Sequence, residues 1–308
     1  MKLFTPVILI TVMSLFMMSA YAQHEAPAEV SFKTTEVAKG IYMLSGENGF
    51  TGGNLGLLVG DEAVILIDDS MPQFLDKMQS SIKRVTERPI DYVLNTHLHG
   101  DHTGNNSAVS EAGAHIIAHE NVRQRLIKNG VKEDDVMKPA PKNTLPVITF
   151  HEAIHLYFNE QPMKVVHVPH AHTDGDSVIH FTNANVIHAG DVFFNNRFPF
   201  IDLNSGGSVE GMISALKKIH SMADDKTKII PGHGELADIK DLKSAIDMLE
   251  DSRNKIQTLI DQGLDEEAIV AENPLAKYHD NWNWGFITTE KMVKQLFKGL
   301  TEDKAHSH

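Results

Sequence analysis

The chain has no cysteine among its 308 residues. That excludes disulfides, thiolate metal ligands and a lipid anchor attached through cysteine, so any metal must be held by nitrogen and oxygen. Positive charge is also scarce: 28 Lys and Arg stand against 41 Asp and Glu, a formal net charge of −13. Such an acidic balance argues against nucleic acid and anionic membranes as main partners, and leaves a small-molecule substrate as the expected one. Beyond residue 22 no apolar stretch is long enough to span a bilayer. These features do not specify an oligomeric state.

One apolar run is present, at the start. Lys2 supplies a positive charge, residues 3–18 are almost wholly apolar, and Ala20-Tyr21-Ala22 places small residues where a signal peptidase reads. The pattern predicts a secretory signal peptide over residues 1–22, and hence a periplasmic or secreted protein. An uncleaved membrane anchor is the alternative, but the run is short for a spanning helix and ends in a cleavage-like site. Residues 23–308 then read as a single domain with a C-terminal helical extension, since no domain-sized linker interrupts them. A chain of that length can bury a sizeable core.

Histidine is in excess, with 18 residues. Between Thr96 and Gly104 the sequence is Thr-His-Leu-His-Gly-Asp-His-Thr-Gly, which puts His97, His99, Asp101 and His102 within six residues. Neither a helical nor a strand face uses that spacing, so the run reads as a tight loop able to fold around metal. Three later positions extend the ligand set. His172 lies in Pro169-His-Ala-His-Thr-Asp-Gly-Asp, Asp191 in Ala189-Gly-Asp and His233 in Pro231-Gly-His-Gly. Each is expected just past a strand, in a glycine-bearing turn.

Hydrophobic patterning places strands at Gly40–Leu44, Leu55–Gly60, Ala63–Ile67, Asp91–Asn95 and Ala114–Ala118. A second set follows at Val147–Phe150, Ile154–Phe158, Met163–Val168, Ser177–Phe181, Val186–Ala189 and Lys228–Ile230. Helical spacing runs over Pro72–Thr86, Glu120–Lys128, Val209–Met222 and Ile239–Gln262. Residues 23–31 read as a flexible start and residues 129–146, with Gly130 and three prolines, as a long surface loop beside the active site. Strands, helices, strands, helices in that order suggest two sheet-and-helix halves with the sheets packed face to face.

The His-x-His-x-Asp-His loop, the later His, the Gly-Asp and the Pro-Gly-His-Gly occur here in the order of the metallo-β-lactamase superfamily, and Ile67-Asp68 resembles that superfamily's first motif. The resemblance covers about residues 40–240. It implies an α/β fold, an αβ/βα sandwich of two mixed β-sheets with helices on the outer faces and metals at one edge between the sheets. Carried over by motif, His97, His99 and His172 would hold one metal, Asp101, His102 and His233 a second, and Asp191 would bridge them. Zinc suits two such nitrogen- and oxygen-rich sites, with iron or manganese also acceptable. The set leaves room for a bridging hydroxide, with Asp101 to orient it and shuttle its proton and Asp68 to steady the loop by hydrogen bonds.

The implied activity is a zinc-dependent hydrolase cleaving an acyl bond: ester, lactone, lactam or related. The resemblance also narrows it. Lactamases of this superfamily carry Cys or Ser where this chain has Asp191, whereas glyoxalase II, the acyl homoserine lactonases and RNase Z carry Asp. The lactonases usually have Tyr three residues later, where this chain has Phe194. A lactamase proper and a diiron-type oxidoreductase of the same fold remain as alternatives, the latter weakened because no flavin domain follows.

Candidate substrate contacts fall in the stretch after Asp191. Arg197 could meet a substrate carboxylate and Asn195 or Asn196 a carbonyl oxygen, with Phe194, Phe198 and Phe200 as an apolar wall. Trp282 and Trp284 read as packing for the last helices. His115, His119, His151, His155, His167, His180 and His188 read as structural, and His306 and His308 as a polar tail. The signal-peptide reading predicts that mass spectrometry of periplasmic protein gives Gln23 as the first residue; an intact N-terminus in the membrane fraction would favour the anchor.

Overall fold

The computed structural model describes residues 29–133 and 136–306. The N-terminal segment expected to be a signal peptide, and His308, lie outside the described residues. Alternation within short strands decides the layering. In β4 (Val64–Ile67) Ile65 and Ile67 point into one apolar cluster and Val64 and Leu66 into another. A strand buried on both faces must be a middle layer.

That strand lies within a seven-stranded mixed sheet. Its order is β1 (Ser31–Ala38), β2 (Ile41–Glu47), β3 (Leu55–Val59), β4, β5 (Tyr92–Leu94), β6 (His115–His119) and β9 (Ile148–Phe150). The first four strands pair antiparallel, and β4 to β9 pair parallel. Strands β7 (Val131–Glu133) and β8 (Val136–Lys138) form a separate hairpin. The second sheet has five strands: β10 (Ala153–Phe158), β11 (Gln161–His167), β12 (Ser177–Phe181), β13 (Val186–Phe194) and β14 (Lys228–His233). Only its last pair is parallel.

The two sheets meet through one shared core. Leu58, Ile65, Ile67 and Ile117 from the first pack with Val165, Ile179, Phe181 and Ile230 from the second. Helix α1 (Leu75–Lys83) covers the outer face of the first sheet with Met78 and Ile82. Two short helices, α2 (Gly100–Thr103) and α3 (Asn106–Glu111), follow β5, and α4 (Glu120–Asn129) follows β6. Helices α5 (Val209–Met222) and α6 (Ile239–Asp261) cover the outer face of the second sheet. The final helices α7 (Glu266–Glu272), α8 (His279–Trp282) and α9 (Thr289–His306) add Ile269, Trp282 and Leu296 to that same cluster, and Leu275 joins it from between α7 and α8. This is the αβ/βα sandwich expected from the sequence. Among the described residues no helix is long and apolar enough to cross a membrane.

Four local expectations need correction. Strand β1 starts at Ser31, the last residue of the stretch read as a flexible start, and is not among the expected strands. Its sequence SFKTTEVA carries few apolar residues because it is an edge strand, and only Phe32 and Val37 are buried. Within the stretch read as a loop from 129 to 146, β7 and β8 pair and a 3-10 turn forms at Lys142–Thr144. The histidine run is not wholly a loop, since α2 begins at Gly100 and carries Asp101 and His102. Asp191 and His233 lie inside β13 and β14 rather than beyond them; the pairing shifts register on both sides of Gly190, whose φ of +51° suits glycine.

Phe181, fully buried between the sheets, should be the costliest single truncation in this layer. Phe181→Ala is expected to lower unfolding free energy by about 3–5 kcal/mol in denaturant titration. A loss under about 1 kcal/mol would show that the sheets do not depend on this contact.

Candidate metal centre

The proposed ligands come from five separate segments, all meeting at one edge of the sandwich. Strand β5 runs into His97 and His99, α2 supplies Asp101 and His102, the β11–β12 turn supplies His172, and β13 and β14 supply Asp191 and His233. Side-chain ligand atoms of His97, His99, His172 and Asp191 lie within 4.8 Å of one another, as do those of Asp101, His102 and His233. All seven sequence-predicted ligands are therefore brought together.

The outer nitrogen of four of the imidazoles is tied to a fixed partner. His97 Nδ1 lies 3.0 Å from Thr96 Oγ1, and His99 Nε2 lies 2.9 Å from Asp202 Oδ2. His172 Nδ1 donates to the Phe200 carbonyl at 2.7 Å, and His102 Nδ1 donates to Asp68 Oδ2 at 2.8 Å. Thr96 Oγ1 itself donates to Asp68 Oδ2 at 2.8 Å. Its single proton is then engaged, so His97 Nδ1 must be the donor toward it. These contacts put the protons on the outer nitrogens and leave lone pairs on the inner ones.

The inner nitrogens converge closely. His99 Nδ1 lies 3.1 Å from His97 Nε2 and 2.8 Å from His172 Nε2. Three lone pairs at that range repel unless a proton or a cation lies among them. Buried His102 Nε2 and Asp191 Oδ1 are 3.2 Å apart, yet neither makes a hydrogen bond. Both are ligand-type atoms, and a cation would satisfy them. The donor set therefore fits a pair of metal ions bound without sulfur.

Electrostatics divides the centre. Burial, and the neighbouring imidazoles, hold His97 well below the ordinary histidine value, and burial lowers His172 to about 4. Burial acts against charge on His233 and His102 too, but there the carboxylates win. Asp191 and Asp101 raise His233 to about 9, and with Asp68 they raise His102 well above its usual range. The same histidines overcome burial at Asp101, lowering it to about 2, and at Asp191, lowered well below the carboxylate range. The carboxylates of the Asp101–His102–His233 half thus favour positive charge on His102 and His233, which a metal ion would replace with release of the protons.

Access is from one side. His97, His102 and His172 are fully buried, whereas the side chains of Asp101 and His99 are 23 % and 22 % exposed. Glycine keeps the wall thin behind the ligands. A Cβ on Gly53 would stand 2.1 Å from the His102 ring, and one on Gly232 would stand 2.0 Å from Asp191 Oδ1. Asn54 donates to the Pro231 and Gly234 carbonyls at 2.9 Å each and so clasps the first sheet to the turn that carries His233.

Other candidates are placed variously. Asn195 is buried and donates to the Glu235 carbonyl at 3.0 Å, bracing the His233 turn. Asn196 is exposed with φ of +50°, and the Arg197 guanidinium lies 5.0 Å from the Trp284 ring centre. Phe194 stacks on His233 at 5.3 Å and Phe200 lies 5.9 Å from His99, but Phe198 is fully buried in the core. Trp282 packs as expected, whereas Trp284 belongs to the centre's surroundings, 5.8 Å from His233. His188 is buried with its pKa lowered to about 4 by burial, in keeping with a structural role. Asp202, Thr96, Phe50 and Asn54 were not expected from the sequence; they carry no motif spacing and are recruited by the fold.

A family model of the metallo-β-lactamase superfamily matches residues 48–233. The chain belongs to the metallo-β-lactamase superfamily. Over 158 residues it is 30% identical to a hydroxyacylglutathione hydrolase of Polaromonas sp., covering 49% of this chain and 51% of that protein. It is 24% identical to a probable metallo-hydrolase of Methanocaldococcus jannaschii, over 62% of this chain and 92% of the other. The match thus spans about half the length of the Polaromonas hydrolase. Among solved structures, a metallo-β-lactamase from Pontibacter korlensis superposes with a TM-score of 0.60 at 15% identity, over 71% of this chain and 99% of that one. A sec-alkyl sulfatase superposes at 0.65 with 15% identity, over 87% of this chain and 50% of that one. Likeness at that identity concerns the fold.

Asp202 fixes the orientation of His99, so its loss should loosen metal without unfolding the chain. Asp202→Asn is expected to weaken metal affinity about 10–100-fold in chelator competition, with far-UV circular dichroism unchanged. Wild-type affinity in the variant would show that the contact is incidental.

Proposed function

We propose that the protein is an exported binuclear zinc hydrolase that cleaves an acyl bond in a small-molecule substrate. One observation carries the reading: seven metal-ligand side chains from five segments converge around His102 Nε2 and Asp191 Oδ1, two buried atoms that have no hydrogen-bond partner. His97, His99 and His172 would hold one ion, Asp101, His102 and His233 the other, with Asp191 between them. Zinc held there would lower the pKa of bound water to about 7 and polarise a carbonyl.

The chain's own groups do the rest. Asp101 is the ligand at the open face, and its Oδ2 lies 3.5 Å from both His233 Nε2 and His102 Nε2. A carboxylate in that position can take a proton from the attacking water and return it to the leaving atom. Asp68 holds His102 and Thr96 in place, Asp202 holds His99, and the Phe200 carbonyl holds His172. The aromatic rings of Phe50, Phe194 and Trp284 around His233 limit water on that side.

An acyl substrate is favoured by the likeness to hydroxyacylglutathione hydrolases and by the Asp at position 191. A dedicated lactamase is disfavoured by that same Asp, and by Arg197, which lies against Trp284 with its charge half-buried. Under one zinc concentration, kcat/KM for an aryl ester or a lactone should exceed that for a carbapenem and a cephalosporin. A β-lactam at the top, near 10⁴–10⁸ M⁻¹s⁻¹, the usual enzyme range of roughly that span, would make the chain a lactamase with an unusual ligand. Asp101→Ala should remove turnover more completely than it removes zinc, by about 10²-fold or more. Turnover near the wild-type rate would refute its role.

A further inference from the structure

The aromatic side chains around the centre form a connected series that leads away from it. Phe194 and Trp284 both lie beside His233, and Trp284 lies 5.6 Å from Phe286, which lies 5.4 Å from Phe200. Phe200 closes the series at His99, 5.9 Å away. Trp284 and Phe286 come from the segment between α8 and α9, beyond residues 48–233, where the family model ends. Next to Phe200 and Phe286 lies a groove of about 300 Å³, at the lower end of the volumes that hold small molecules.

The groove touches the centre through Asp202, whose Oδ2 is 2.9 Å from His99 Nε2. Its charged side chains are already engaged. Asp202 faces His99, Lys291 donates to the Phe286 carbonyl at 2.8 Å, and Lys298 lies 3.9 Å from Glu302. Gln295 is held at both ends, accepting from Ile201 N and donating to the Pro199 carbonyl. The groove's apolar surface comes from Phe200, Ile201, Leu203, Phe286 and Ile287, with Asn204 and the exposed Lys291 and Lys298 also in its lining. Phe286 is 51% exposed, so much of its ring is open to an occupant of the groove.

We propose that this groove, lined by Phe200 and Phe286, receives an uncharged apolar acyl chain, and that Phe286, with Trp284 packed against its ring, determines which acyl substrates are accepted. The inference rests on the acyl-bond reading above and names its substrate class. An acyl carbonyl at the open face beside Asp101 and His99 would send its chain past Phe200 into the groove. Each fully buried methylene is worth roughly a fourfold gain.

The test uses zinc-loaded protein and p-nitrophenyl esters of two, four, eight and twelve acyl carbons. The expected result is a rise in kcat/KM of about tenfold or more from two to eight carbons, expressed mainly in KM. Phe286→Ala and Trp284→Ala should lower the eight-to-two ratio, whereas Tyr157→Ala, an exposed side chain on β10, should not. A second arm measures binding of 2-butanone and 2-decanone to metal-free protein by tryptophan fluorescence. Tighter binding of decanone, lost in Phe286→Ala, supports the groove even if no ester is cleaved, in which case the acyl-bond reading alone fails. Hydrolysis with a flat chain-length profile, a preference for a succinyl over an octanoyl ester, or absence of chain-length dependence in both arms would overturn the inference.

Discussion

The structure depends on an arrangement that is unfavourable by itself. Three imidazole lone pairs face one another at 2.8–3.1 Å between His97, His99 and His172, and beside them Asp101 and Asp191 crowd His102 and His233. No single segment could hold such a set. It persists because four of the imidazoles are restrained from outside, among them His102 by Asp68, His99 by Asp202 and His172 by a backbone carbonyl. Those contacts select the tautomers and aim the free nitrogens inward, which is the role that outer hydrogen bonds have in metal sites generally.

The sandwich supplies the rigidity this requires. Its two sheets share an apolar core, so the ends of β5 on one side and of β13 and β14 on the other are held at fixed separation. Asn54 and the close glycines Gly53 and Gly232 then let backbone from both sheets approach the ligands without a side chain in between. Packing energy is thereby used to hold like groups together, and a bound cation would return part of that cost as affinity.

Much of this was legible in the sequence. Side chains able to hold metal stand out when they sit at constrained positions, as in the spacing around His97–His102 and in the glycine-flanked His172, Asp191 and His233, and alternating strands reveal the two sheets. Other parts were hidden for physical reasons. Strand β1 is polar because it is an edge. Asp191 sits within β13 because the irregular register around Gly190 lets the strand continue past the site. Asp202 and Thr96 act through single hydrogen bonds that demand no particular spacing. Trp284 and Phe286 lie far along the chain from the metal motifs, and only the packing of the last helices onto the second half brings them back to His233 and Phe200.

The central claim is that two ions share one cysteine-free centre. X-ray absorption at the zinc edge on fully loaded protein tests it most directly. The account predicts a nitrogen and oxygen shell at about 2.0–2.2 Å, together with metal–metal scattering at roughly 3.5–4 Å. A single saturating ion per chain, with no metal–metal vector, would contradict it.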